Sequence, residues 1–175
     1  MKVILMHGMG ADPDKKWYPW LFKKIKEKNI EMIIPTLPNS ENPNLGDWIN
    51  EIIKCVPDND SVLIGHSRGG VAILRWLEQL SEGKKVKKVI LVATNSGKEK
   101  SSEKGFFSRE GYDFEKIKSH CDNFVVIHSK DDNWVPFSAG EENAKGLGAK
   151  FKIYTNKRHF GIKESPQIPE VLEEI

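Results

Sequence analysis

Ser67 has the setting in this sequence that most directly specifies chemistry. It lies in "LIGHSRGG", residues 63–70, where an apolar run stops at Gly65 and further glycines follow at 69 and 70. Gly65-His66-Ser67-Arg68-Gly69 fits G-x-S-x-G, the turn in which a strand passes abruptly into a helix and exposes a strained serine. Bulk two residues before or after that serine would collide with the turn, and Gly70 would let the new helix lie close to the sheet. Amides at the start of the helix would face any anion forming beside the hydroxyl. A dinucleotide-binding reading fails on spacing. Gly8-Met9-Gly10 begins G-x-G-x-x-G, but Pro13 holds the third glycine position, and the P-loop lysine pattern is missing.

A serine hydroxyl is a weak nucleophile at neutral pH and needs a base beside it, oriented by an acid. On a strand–turn–helix serine the expected chain order is serine, acid, histidine. Lys130-Asp131-Asp132 follows the apolar run "NFVVIHS" and offers two adjacent carboxylates. His159, in "NKRHFG", follows the final strand-like run. The other histidines read differently: His7 at the end of the first strand, His66 pointing away from Ser67, His120 in a surface pair with Cys121, and His128 in the core. Stabilising an oxyanion takes two amides. Arg68, directly after the serine, supplies one. The loop "HGMGAD" supplies the other, from Met9 in preference to Gly8 or Gly10. The Arg68 guanidinium itself has two readings, contact with an acidic substrate group or an outward turn to solvent or a local carboxylate.

These residues must be positioned by a scaffold, and the apolar runs define it. "KVILM" at 2–6, "EMIIP" at 31–35, "SVLIG" at 61–65, "KVILVA" at 88–93 and "NFVVIH" at 123–128 are continuous and rich in β-branched residues. Parallel strands covered on both faces have this character. "KFKIYT" at 150–155 alternates instead, as an edge strand does. Helical spacing links the strands: Leu45, Trp48, Ile49, Ile52 and Ile53 up to Pro57, and Val71, Leu74, Leu77 and Leu80 with Gly83 as a cap. Ser138 and Glu141 have capping-box spacing ahead of a weak helix, and Ile168, Val171, Leu172 and Ile175 form a last amphipathic one. The expected fold is a doubly wound, mainly parallel α/β sheet of six strands with helices on both faces. Its ligand edge is the carboxyl end of the strands, where Ser67, the two aspartates and His159 would meet.

Residues 94–114 interrupt this rhythm with a long polar stretch containing Phe106 and Phe107. Loops of this length in compact domains are commonly functional or disordered. The expectation is a small lid whose phenylalanines face an acyl pocket. The chain of 175 residues suits one domain, 1–175, and its 38% hydrophobic and 30% charged residues suit a soluble one. A net charge of +2 is too small to imply a nucleic-acid partner, and no apolar run reaches membrane-spanning length. Two cysteines without a C-x-x-C pair, together with an N-terminus unlike a signal peptide, point to a cytoplasmic location without a structural disulfide.

Taken together, "HGMG", "WYPW", "IGHSRGG", "GFFSREGYDFEKIK", "HSKDDNWVPF" and "RHFG" resemble the small α/β-hydrolases grouped with retinoblastoma-binding protein nine and YdeN. The resemblance runs nearly end to end. It implies a serine hydrolase with Ser67 as nucleophile, Asp132 rather than Asp131 as acid and His159 as base. Asp132 also carries the D-x-x-V-P spacing common after this strand in such hydrolases. The Leu-x-Cys-x-Glu motif of retinoblastoma-pocket binding has no match, since Ile53 and Pro57 flank Cys55. The expected activity is cleavage of a small-molecule carboxylic ester, or a thioester or amide, through an acyl-serine, with neither metal nor organic cofactor. The alternative is a hydrolase-shaped interaction module with an idle triad.

Overall fold

The computed structural model describes residues 1–98 and 105–175. Among them six strands form one sheet: β1 (Lys2–Met6), β2 (Glu31–Ile33), β3 (Ser61–His66), β4 (Lys88–Val92), β5 (Phe124–Ser129) and β6 (Lys150–Tyr154). Their order is β2-β1-β3-β4-β5-β6, and every pairing is parallel. The helices are α1 (Tyr18–Glu27), α2 (Leu45–Lys54), α3 (Arg68–Leu77), α4 (Phe114–Ser119), α5 (Phe137–Leu147) and α6 (Pro169–Leu172). None of the described helices is long and apolar enough to cross a membrane.

The uninterrupted apolar character of the inner strands has a simple cause. Successive side chains point to opposite faces, and both faces are covered. Ile4 and Met6 of β1 enter one core with Leu63, Val89, Leu91 and Val126. Val3 and Leu5 enter the other with Val62, Ile64, Ile90 and Ile127. Helices α2 to α5 cover the first face with Trp48, Leu74, Ile117 and Leu147, among others. On the second face α1 and α6 contribute Leu21, Ile25 and Val171. Strand β6 lies at the edge, and its half-exposed residues explain the alternation in its sequence.

Several local expectations give way to the tertiary structure. Helix α3 ends at Leu77 with Glu78 as its cap, so Gly83 lies in the following loop rather than capping it. Helix α5 starts two residues earlier than the capping-box spacing implies, with Pro136 at its N-cap and no side-chain cap. The last helix is a single turn, opened by Pro169. His120 is buried rather than at the surface, with Nδ1 2.7 Å from the Lys84 carbonyl.

The segment read as a lid requires the largest correction. Residues 99–104 lie outside the described residues, but the rest of 94–114 is stitched to α3. Arg75 donates to the carbonyls of Phe106 (3.2 Å) and Gly97 (3.1 Å) and stacks over Tyr112. Phe106 is fully buried, edge-on to Trp48 at 5.6 Å, and Phe107 is partly buried against the same core. Neither side chain lines the cleft beside Ser67. Burying an aromatic ring in an existing core is worth more than shading a pocket mouth, and the polar neighbours conceal this in the sequence. Phe106→Ala should therefore cost about 3–5 kcal/mol of stability, measured by urea unfolding. It should leave the ratio of turnover between long and short acyl esters close to the wild-type value.

Candidate functional site

Strand order places the site. The connections from β1 and β3 leave the sheet in opposite directions, which opens a crevice beyond the carboxyl ends of these two neighbouring strands. Ser67 stands at the end of β3, and the Gly8–Met9 loop at the end of β1. The loops after β5 and β6 reach the same edge.

Ser67 occupies the one-residue hinge between β3 and α3, with φ 52° and ψ −123°. A side chain at positive φ is strained, and here the surroundings enforce it. Its amide donates to the Val92 carbonyl at 2.8 Å. The flanking glycines are steric necessities. A Cβ on Gly65 would overlap Gly70, a Cβ on Gly69 would overlap the Met6 carbonyl, and a Cβ on Gly70 would meet Thr94.

The two aspartates after β5 part company. Asp132 is fully buried at its carboxylate. Its Oδ1 accepts from the amides of Trp134 (2.8 Å) and Val135 (3.0 Å), and its Oδ2 lies 2.8 Å from Nδ1 of His159. Asp131 turns the other way, accepting from the Ser129 hydroxyl and, at 3.0 Å, from the Arg158 amide. These hydrogen bonds hold its carboxyl below the usual range. Asp131 thus braces the backbone beside His159, and Asp132 meets the imidazole.

With Nδ1–H donating to a carboxylate, the His159 imidazole keeps its lone pair on Nε2, the tautomer of a general base. His159 and Ser67 line the same cleft of about 430 Å³, together with Gly8, Met9, Arg68 and Trp134. No direct hydrogen bond joins Ser67 and His159; such contacts often tighten only once substrate is bound.

Three buried histidines shape the floor. His66 turns away from the serine, as its position in the turn requires. The Gly8 amide donates to the Tyr18 hydroxyl at 3.2 Å, leaving that hydroxyl's proton for His66 Nδ1 at 2.7 Å. His66 Nε2–H is then free to donate to the carbonyl of His159 at 3.1 Å. One neutral imidazole thereby ties the β1 loop to the β6 loop. Burial, reinforced by the positive charge of Lys16, holds His66 well below the ordinary histidine range. His7 bridges the Gly8 carbonyl and the Leu37 amide, and burial lowers its proton affinity too. His128 donates from Nε2 to the Val135 carbonyl at 3.2 Å, while its Nδ1 has no partner among the described residues.

The same network sorts the β1-loop amides. Gly8 N–H is taken by Tyr18, and Gly10 N–H donates to the Ser40 carbonyl at 2.9 Å. Met9 N–H has no acceptor among the described residues. The Arg68 guanidinium packs against neighbouring side chains. It lies over the rings of Phe106 (5.5 Å) and Phe107 (5.2 Å) and donates to the Met9 sulfur at 3.2 Å. The sequence reading did not single out Lys16, Tyr18 or Trp134. Trp134 is 74% exposed, with its ring 6.4 Å from that of His159. The conjunction of an aromatic cluster, "WYPW", with the nearby glycine loop was the available signal for Tyr18.

The serine hydrolase family model matches residues 3–173. The chain belongs to the serine hydrolase family. YdeN of Bacillus subtilis is 32% identical over 98% of this chain and 94% of that protein. The crystal structure of the ydeN gene product superimposes with a TM-score of 0.90, covering 99% of this chain and 95% of that one at 29% identity. The serine hydrolase RBBP9 of Rattus norvegicus is 27% identical over 98% of this chain and 94% of its own length. Alpha/beta hydrolase domain-containing protein 10 from mouse shares the fold at a TM-score of 0.69 and 14% identity, covering 99% of this chain and 87% of that one. Family membership makes the chain a hydrolase, and its sheet is that of the α/β hydrolases.

Proposed function

We propose that this hydrolase, acting as one domain, cleaves carboxylic esters through an acyl-serine intermediate on Ser67, with thioesters and amides as further acyl substrates. The observation that carries the reading is the 2.8 Å contact of Asp132 with His159 Nδ1, which leaves Nε2 as the base in the cleft that holds Ser67. Ser67 Oγ bonds to the carbonyl carbon as its proton passes to Nε2. The amides of Met9 and Arg68 receive the oxyanion, in a position where preorganised donors outperform water. Collapse breaks the bond to the leaving group, which takes the proton from Nε2–H. Water then repeats the sequence on the acyl-serine, releasing the acid and restoring Ser67. Asp132 fixes the imidazole tautomer and stabilises its charged form.

A fluorophosphonate probe tests the nucleophile directly. Folded protein should be labelled, and peptide mapping should find the adduct on Ser67. Folded protein that resists labelling would mark the chain as a binding module with an idle triad.

A further inference from the structure

Lys16 lies in the loop between β1 and α1, half-buried, with its backbone at φ 58°. It lines the cleft that holds Ser67 and His159. No carboxylate lies within ion-pair distance of its ammonium among the described residues, whereas its neighbour Lys15 pairs with Asp12. Burial lowers its proton affinity, and the charge of Asp132 partly restores it. Asp132 itself is already committed to two amides and His159. The other charged groups in the cleft wall are Arg68, Arg158 and Glu164. Arg158 is 63% exposed and stands 3.7 Å from Glu164, whereas Lys16 is drawn inward. Holding an ammonium partly out of water has a cost that an anionic ligand would offset.

We propose that Lys16 is a specificity-determining residue and that the preferred substrate is an ester bearing a second, ionised carboxylate, which pairs with the Lys16 ammonium while Ser67 attacks the ester carbonyl. This rests on the ester-hydrolase reading above for its chemistry. The anion–lysine contact itself does not depend on turnover.

The test compares esters matched in carbon number, followed by pH-stat titration: monomethyl succinate against methyl butyrate, and monomethyl glutarate against methyl valerate. O-acetylglycolate places the carboxylate on the alcohol side instead. Wild type should favour the charged ester of a pair. Lys16→Gln should lower kcat/KM for it by about tenfold, mainly through KM, and leave the neutral ester within twofold. Lys16→Arg should restore most of the preference. Dependence on Lys16 for acyl-side esters or for O-acetylglycolate tells which half of the substrate carries the anion. In parallel, glutarate binding to the Ser67→Ala protein, measured by calorimetry, should weaken about tenfold on adding Lys16→Gln. If wild type hydrolyses the esters but charged and neutral members lose activity equally, or neither changes, the lysine assignment falls and the hydrolase reading stands. If no ester is cleaved yet glutarate binding depends on Lys16, the reverse holds. Lys16-independent binding with no turnover removes both.

Discussion

Ser67→Ala should reduce ester turnover to background, a loss of about 10⁶-fold in kcat if this serine behaves as the nucleophile of a serine-protease triad does. The variant should remain folded, because the change is confined to one oxygen. Alanine retains Cβ, so the strain at φ 52° is neither relieved nor increased, and the Ser67 amide still donates to Val92. Ser67→Gly is the informative companion. It too should be inactive, but removal of Cβ at a positive φ should raise stability by about 1 kcal/mol. Turnover of a chromogenic ester and urea unfolding, measured on both variants, check the two halves separately. Substantial acyl transfer in either variant would remove Ser67 from the mechanism. A large loss of stability in the alanine variant would mean the hydroxyl supports the turn itself.

The second large effect separates neighbouring carboxylates. Asp132→Asn should cost about 10⁴-fold in turnover by the serine-protease template, with the fold retained. The direction follows from the hydrogen bonds. Oδ1 of Asp132 is fixed by the amides of Trp134 and Val135, both donors. An asparagine would therefore keep its oxygen there and present its NH₂ to His159. An NH₂ donates to Nδ1, forcing the imidazole proton onto Nε2, where it blocks base catalysis. Asp131→Asn should cost less than tenfold, since an amide oxygen can still accept from Ser129 and Arg158. Assays of both variants on one activated ester, at a fixed pH near neutrality, decide the matter. A crippled Asp131→Asn beside an active Asp132→Asn would shift the acid by one residue.

Much of this was legible in the residues themselves. Continuous β-branched runs specify strands buried on both faces, because exposing either face would leave apolar surface in water. All six runs are strands, with ends displaced by a residue or two. The glycines at 65, 69 and 70 were equally legible, since steric exclusion around a tight turn is local and leaves its mark on composition. Chain order brought the loops after β3, β5 and β6 to one edge of the sheet for the same reason: parallel strands all end on the same side.

The tertiary structure decided what depends on direction rather than on sequence neighbourhood. Asp131 and Asp132 are chemically identical and adjacent, and only the loop's path sends one to Arg158 and the other to His159. Phe106 stands among polar residues, yet Arg75 on α3 draws its backbone in and Trp48 on α2 supplies a surface for its ring. Met9 is preferred over Gly8 and Gly10 in the sequence, but only the fold commits the outer two amides, to Tyr18 and Ser40. Lys16 is one of many lysines until the loop after β1 folds it, half-buried, into the cleft wall beside Ser67. A hydrogen bond or an unpaired charge is a relation between groups distant in the chain, and that relation exists only once the chain has folded.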